Sequence, residues 1–442
     1  MSKYQQRKEA LDTSLLLWYV RPTQTSIQEA YDIIVYPSAV YDDTYGGPIN
    51  FTIPPQSNGC LSNIEIVTEW QVLNGEDNLA ANAQVSVINN IANAMWSFVE
   101  VYVGDRANTK QMKENAYAYH TFFNTALNNT SLRKDYLAIS ESFEMDMGTK
   151  KSDANCKVFF NDDKALILNK GSAKRAEKVK LSNVVKTRAK LHTSLLTHAK
   201  VLPTQMKINV TLVKNKDDFV IQAAADGNKL KIKKVHLQCR FIRHRDSILN
   251  LQEEELMKRS ARYDTKYPEI TMRSIPQNVK NVSLNDLFPN KLPKVAFFVL
   301  QNTSDIAGDR GTSPFAVNRM DSFQLYVNNH EYFPTPISFV NLTGTWDDDF
   351  SEAYIQLYKA LGLGMEGDCL INRDNFNINY IIGAVFTADK EHTTHHNLQT
   401  KGDVRAEITL EDENAGPFTL ITYAVYDRLY EIDYNRKLTI IE

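Results

Sequence analysis

The sequence predicts an all-β chain in which one sandwich-like unit occurs twice. Three observations point that way. Strand-like segments far outnumber helical ones. The same strand-and-helix pair recurs in each half. And strands do not alternate with helices of roughly 10–15 residues, as a parallel α/β sheet requires. A length of 442 residues suits two domains. The 21 Tyr and 20 Phe, with many Val, Ile and Thr, favour strands over helices.

The chain begins with the polar stretch SKYQQRKEALDT. The apolar run after it, Leu15–Val20, is too short for a signal-peptide core or a membrane span. RPTQTSIQEAYDIIVYPSA (21–39) carries a proline near each end and no regular period, and Tyr41–Pro48 is polar and Gly-rich. Residues 1–45 are therefore expected to form an N-terminal arm that gains order on assembly, with Pro22, Thr23, Gln24, Thr25 and Ser26 as its contact residues. The competing expectation is an arm folded back along its own first unit. INFTIP (49–54) is the first expected regular strand.

NIEIVTEWQVL (63–73), SFVEVYV (97–103), MKINVTL (206–212) and DDFVIQ (217–222) follow as strands. The second half adds KIKKVHLQCRFIR (231–243), EITMRS (269–274), KVAFFVL (294–300), SFQLYV (322–327), NYIIGAVFT (379–387), DVRAEITL (403–410) and FTLITYAVY (418–426). Helical period occurs at 247–260 and in two related stretches, AYHTFFNTAL (118–127) and AYIQLYKAL (353–361). Both related stretches place large apolar side chains at i, i+3 and i+4, Tyr119, Phe122 and Phe123 in one and Tyr354, Leu357 and Tyr358 in the other, a core-facing stripe.

Each of these two helices follows a matching strand, SFVEVYV or SFQLYV. A third echo closes each half. Ile208-x-Val210-x-Leu212 leads through a charged turn to Phe219-Val-Ile221, as Ala406-x-Ile408-x-Leu410 leads to Phe418-Thr-Leu420. Three paired features in one order imply duplication of a β unit; chance likeness between ordinary β patterns is the competing explanation. The small polar stretch Ala223–Asn228 marks the divide, giving units at 46–227 and 228–442. Units of this size, with many strands and long connections, suit two eight-stranded jelly rolls in tandem, with a few short helices.

The net charge of −3 gives no general drive toward nucleic acid or anionic lipid. Cys60, Cys156, Cys239 and Cys369 are too scattered for a zinc knuckle or redox pair and read as buried thiols in a reducing compartment. Gly362-Leu-Gly364-Met-Glu-Gly367 satisfies G-x-G-x-x-G but follows a helix, so Gly362 reads as a helix C-cap. Asp347–Asp349 with Glu352 fits a capping box better than a cation site. His392, His395 and His396 lack the intervening Glu of a zinc motif and read as a polar loop. No cofactor, metal or catalytic set is expected. Between 164 and 190, nine Lys or Arg face one acid. Lys174, Arg175, Lys178, Lys180, Lys186, Arg188 and Lys190 are the candidates to touch packaged nucleic acid without reading its sequence, against a plain solvated loop.

Short pieces along the chain resemble the double jelly-roll major capsid proteins of polinton (Maverick) elements and adintoviruses. They are Pro22-Thr-Gln-Thr-Ser26-Ile27, Gly47-Pro48-Ile49, Ile88-Asn-Asn90 before Ser97–Gly104, and Asn115-Ala-Tyr-Ala-Tyr119. Lys214–Phe219, Asn285-Asp-Leu-Phe288 with Leu292-Pro-Lys294, Ser313-Pro-Phe315 and Thr422–Asp427 complete the set. Residues 150–190 match poorly, so the basic run inherits no role. The resemblance implies a homotrimeric, pseudo-hexameric capsomer that joins neighbouring capsomers in an icosahedral virion shell, assembled inside the host cell around a DNA genome. Penton and minor capsid proteins are implied partners; an enzyme is not implied. The alternative function is a jelly-roll carbohydrate- or receptor-binding module, with aromatics in the Tyr326–Phe333 loop holding sugar.

Overall fold

The computed structural model describes residues 20, 23–39, 41, 47–104, 106–107, 116–146, 170–196, 199–223, 227–289, 291–308, 313–315, 317, 320–339, 351–363, 367–376, 379–392, 395–410 and 417–441. Pro22, Cys156 and Asp347–Asp349 lie outside them.

Among the described residues, sixteen strands build two barrels with the same wiring, and a few shorter strands accompany them. The first barrel holds β1 (Ile27–Val35), β2 (Ile49–Ile53), β3 (Cys60–Asn74), β4 (Trp96–Val103), β5 (Arg106–Ala107), β6 (Val185–Lys190), β7 (Ile208–Lys214) and β8 (Asn228–His244). The second holds β9 (Ala261–Ile275), β10 (Asn281–Leu284), β11 (Val295–Asn302), β12 (Ser322–Val327), β13 (His330–Glu331), β14 (Ile382–Val385), β15 (Val404–Thr409) and β16 (Phe418–Ile432). The sheets of the first run β1-β8-β3-β6 and β2-β7-β4-β5; those of the second run β9-β16-β11-β14 and β10-β15-β12-β13. Each strand of one barrel thus has its counterpart eight places on, and all these pairs are antiparallel. This is the four-plus-four order of a jelly roll.

Alternation drives the closure. In β2 the sequence INFTI buries Ile49, Phe51 and Ile53 and exposes the residues between. In the second barrel Phe298 of one sheet meets Phe323 of the other, ring centres 5.4 Å apart. Among the described residues the longer helices are α1 (Ala116–Asn128), α2 (Lys134–Ser140), α3 (Lys170–Val179), α4 (Asp246–Lys258) and α5 (Ser351–Leu361). Gly362 ends α5 in the left-handed region, φ 67°, as a C-cap requires.

Four sequence expectations change. The arm expected at 1–45 contains β1, whose register runs from Ile27 opposite His244 to Val35 opposite Leu237. Its backbone finds partners along β8, so this part folds back on its own barrel. The expected divide at 227–228 falls just before β8, which pairs with β1 and β3; the chain crosses between barrels through α4 instead. Phe219–Ile221 is the end of a short helix and the start of a strand paired with Val85–Val87, so the true counterpart of Phe418–Leu420 begins at β8. Finally, Val185–Lys190, inside the basic run, is a strand.

Candidate assembly interface

The two outer faces of the equivalent sheets β1-β8-β3-β6 and β9-β16-β11-β14 differ in what covers them. On the second barrel, Val295, Phe297 and Val299 of β11 point outward beside Tyr423 and Ile421 of β16, and all five are buried. What buries them includes α1 of the first barrel. Phe123 stacks on Tyr423 with centroids 5.5 Å apart, His120 lies 6.1 Å from the same ring, and Phe122 stacks on Phe315 at 4.3 Å. Polar groups also cross the boundary. Tyr430 and Ser194 hydroxyls are 2.6 Å apart, the Tyr263 hydroxyl donates to the Val201 carbonyl at 3.1 Å, and Arg436 Nε donates to the Thr204 carbonyl at 2.9 Å. Gly308 allows a close crossing: a Cβ there would sit 3.0 Å from the Asp218 carbonyl carbon, and its φ is 102°.

The corresponding face of the first barrel is open and charged. Asp32 and Arg240 pair at 2.9 Å, Arg188 and Glu65 at 3.5 Å, and Lys186 and Glu69 at 3.7 Å. The Arg240 hydrogen bond holds the Asp32 carboxyl below its usual range. Ile34 and Tyr36 stand exposed at one edge. At the other edge α2 packs on β6, and its flank presents Leu132, Tyr136 and Ile139, which are 93%, 54% and 79% exposed. Three apolar side chains at this spacing form one helical stripe. Exposed apolar side chains grouped beside an open sheet face mark a candidate interaction site.

The basic candidates are distributed otherwise than the sequence suggests. Arg175 is fully buried; it donates to the carbonyls of Val87 and Glu144 and pairs with Asp146 at 2.8 Å. It therefore cannot touch nucleic acid: it ties α3 to the chain beside it. Lys178 donates to the Ala138 carbonyl and Ser142, and burial pulls its ammonium below the ordinary lysine range. Lys174 pairs with Glu144 and Lys180 with Glu177. Lys186, Arg188 and Lys190 stand on β6 on the open sheet face, where burial and then the nearby Arg133 lower the Lys190 pKa.

The remaining candidates are spent structurally. His392 Nε2 lies 2.6 Å from the Ala360 carbonyl, His395 pairs with Asp389, and His396 bridges Asp264 and Asp427. The three diverge, and among the described residues no cluster of His, Cys, Asp and Glu suited to a metal occurs. In the Tyr326–Phe333 loop, Arg405 stacks over Tyr326 at 4.4 Å, the Tyr332 hydroxyl donates to the Val385 carbonyl and Phe333 is buried. Thr23, Gln24, Thr25 and Ser26 are exposed, and Gln24 Oε1 accepts from the Ile27 amide at 3.2 Å.

Neither a protein-family model nor a curated protein matches the sequence. Solved structures do match in fold. A chain in the cryo-EM structure of the Sputnik virophage superposes with a TM-score of 0.63 at 11% identity, over 98% of this chain and 92% of that one. The mavirus major capsid protein gives 0.55 at 10%, over 98% and 96%. The Faustovirus major capsid protein gives 0.59 at 8%, over 96% and 92%. With both barrels wired alike and the likeness running through nearly the whole length, the fold of this chain is the double jelly roll of those viral capsid proteins.

Proposed function

We propose that the chain is a major capsid protein that self-assembles into homotrimeric, pseudo-hexameric capsomers and then into an icosahedral shell around a DNA genome. The observation that carries this is the inequality between the two equivalent sheet faces. The second barrel's face is covered within the chain; the first barrel's is open and flanked by the stripe Leu132, Tyr136, Ile139. Repeating the barrel-on-barrel contact, with the second barrel of another copy laid on the open face, generates a ring of alternating barrels. Such a heterologous contact closes if the rotation per chain is a third of a turn, and six similar barrels then form a tile.

The resemblance of the sequence to polinton and adintovirus capsid proteins and the fold shared with virophage and Faustovirus proteins support the same reading. The virion is then the site of action. Among the described residues no helix is long and apolar enough to cross a membrane. The exposed segment Thr23–Ser26 remains the proposed contact of the N-terminal arm with a neighbouring capsomer, and Lys174, Lys180, Lys186, Arg188 and Lys190 remain the accessible basic candidates. Penton and minor capsid proteins are the proposed further partners.

Light scattering on the expressed full-length chain, followed by negative-stain microscopy, tests the reading. A species of three chains with a hexagonal outline is the expected result. A chain that stays monomeric at every concentration overturns it.

A further inference from the structure

Between the two barrels lies a cleft of about 540 Å³, within the range of small-molecule sites, about 300–1,000 Å³. Both barrels build it. Its floor is apolar: Leu127 of α1, Phe297 of β11, Tyr423 and Val425 of β16, and Leu361 of α5. Its lining also carries three lysines, Lys200, Lys266 and Lys294.

The lysines are unequally compensated. Lys294 pairs with Asp427 at 2.8 Å, and Lys200 donates to the Arg262 carbonyl at 2.8 Å. Lys266 stands opposite Asp427 in the β9–β16 register, but that carboxylate is already shared by Lys294 and by His396, 3.0 Å away. Asp264, the lining's own carboxylate, is likewise held by His396 at 2.6 Å. Burial first, then the charge of Lys294, pull the Lys266 ammonium below the ordinary lysine range, against the weaker opposing effect of Asp427 and Glu391. At the wall, His120 is 6% exposed and its Nδ1 finds no hydrogen-bond partner.

We propose that this cleft binds a small anionic amphiphile, with its apolar chain over Phe297, Tyr423 and Val425 and its charged head between Lys266 and Lys294. An anion there relieves the repulsion between two lysine ammoniums, whereas a metal cation would add to it. Laying the ligand's own apolar chain on this floor takes that chain out of water, which favours binding by roughly 25 cal/mol per Å² covered. Because the site spans both barrels, occupancy ties them together and raises the stability of the folded chain. The proposal is independent of shell assembly, since the cleft is complete within one chain.

Dodecanoate, kept below the concentration at which it aggregates, is titrated into the soluble full-length chain by calorimetry, with the melting temperature followed in parallel. One site per chain and a rising melting temperature are expected. Dodecan-1-ol, lacking the charge, and acetate, lacking the chain, should each bind at least about ten-fold more weakly. Dodecyl phosphate distinguishes a phospholipid-type head from a fatty-acid head, and saturable binding of either probe supports the site. Lys266→Glu should weaken dodecanoate by about ten-fold or more; Lys266→Gln, which removes the charge without setting a carboxylate beside Asp264 and Asp427, should weaken it as well and keeps the test valid if the reversal disturbs folding. Leu361→Trp, which fills the floor, should weaken both anions. Absence of saturable binding by both anions, equal affinity for dodecanoate and dodecan-1-ol, or binding indifferent to the Lys266 and Leu361 variants overturns the proposal.

Discussion

The Tyr119 hydroxyl of α1 lies 2.8 Å from the Pro314 carbonyl and 3.0 Å from Gln301 Oε1, so a side chain of the first barrel satisfies polar groups of the second. Burial holds its phenol well above the usual tyrosine range, which keeps it a donor. Tyr119→Phe retains the ring and removes the donor; the Pro314 carbonyl keeps Gln301 Nε2, so the loss is of one buried hydrogen bond shared by two acceptors, at a cost of about 1–3 kcal/mol. Phe122→Ala, which loses the stack on Phe315 and opens a cavity, should cost about 3–5 kcal/mol. Urea unfolding checks both. The midpoint should fall in each, and in Phe122→Ala the barrels should begin to unfold in separate steps. An unchanged single transition in Phe122→Ala would mean that α1 does not couple the barrels.

Two buried groups, His120 at this junction and Glu141 within the first barrel, make stability depend on pH in opposite directions. Burial depresses His120 to about 4, below its ordinary 6.5. As pH falls below about 6.5 the unfolded chain takes up a proton that the folded chain refuses, so folded stability drops until about pH 4. His120→Phe removes that loss. Its melting temperature relative to the parent should climb as pH is lowered across this window, and a flat difference would show that His120 does not titrate as stated.

Burial raises Glu141 to about 7, from an ordinary 4.5, with Asn93 Nδ2 donating to its Oε2 at 3.3 Å. Above about pH 4.5 the unfolded carboxyl loses its proton while the folded one keeps it, so stability is lost as pH rises toward 7. Glu141→Gln should leave melting unchanged near pH 4.5 and raise it above pH 7. A variant that melts lower at both pH values refutes this.

Arg175 and Lys174 are neighbours with opposite fates. Arg175→Ala strands the Asp146 carboxylate and two carbonyls and should cost about 3–5 kcal/mol. Lys174 is mostly exposed, and its pair with Glu144 should be worth at most about 1 kcal/mol. Thermal melting of the two variants separates a structural arginine from a nucleic-acid contact. Equal, negligible effects would restore the latter.

The open sheet face can be tested without touching either core. Ile139→Lys combined with Arg240→Glu should leave the melting temperature nearly unchanged, because an exposed pair such as Asp32–Arg240 contributes little, yet weaken trimer formation in light scattering. Deleting residues 1–26 should leave soluble trimers and impair shells. Deleting 1–45 removes β1 as well and bares the β8 edge, so aggregation is expected instead. Normal shells from the shorter deletion would rule out the arm's role.

The strands and the duplication were legible because period-2 alternation is local: SFVEVYV and SFQLYV do become equivalent strands, β4 and β12, which pair with the equivalent strands β7 and β15. Even the covered face left a trace, since β11 reads VAFFVLQN, apolar on both sides, whereas its counterpart β3 alternates Ile64, Glu65, Ile66. What only tertiary structure decided is membership. β1 lies in a proline-flanked polar stretch, and its partner β8 is some 200 residues away. In β6, VKTRAK shows its charges to solvent and reads as a basic loop until Glu65 and Glu69 of β3 stand beside it. The divide between barrels was misplaced for the same reason. A strand belongs to the sheet that satisfies its backbone hydrogen bonds, and that sheet is fixed by chain segments far off in sequence, which no local pattern encodes.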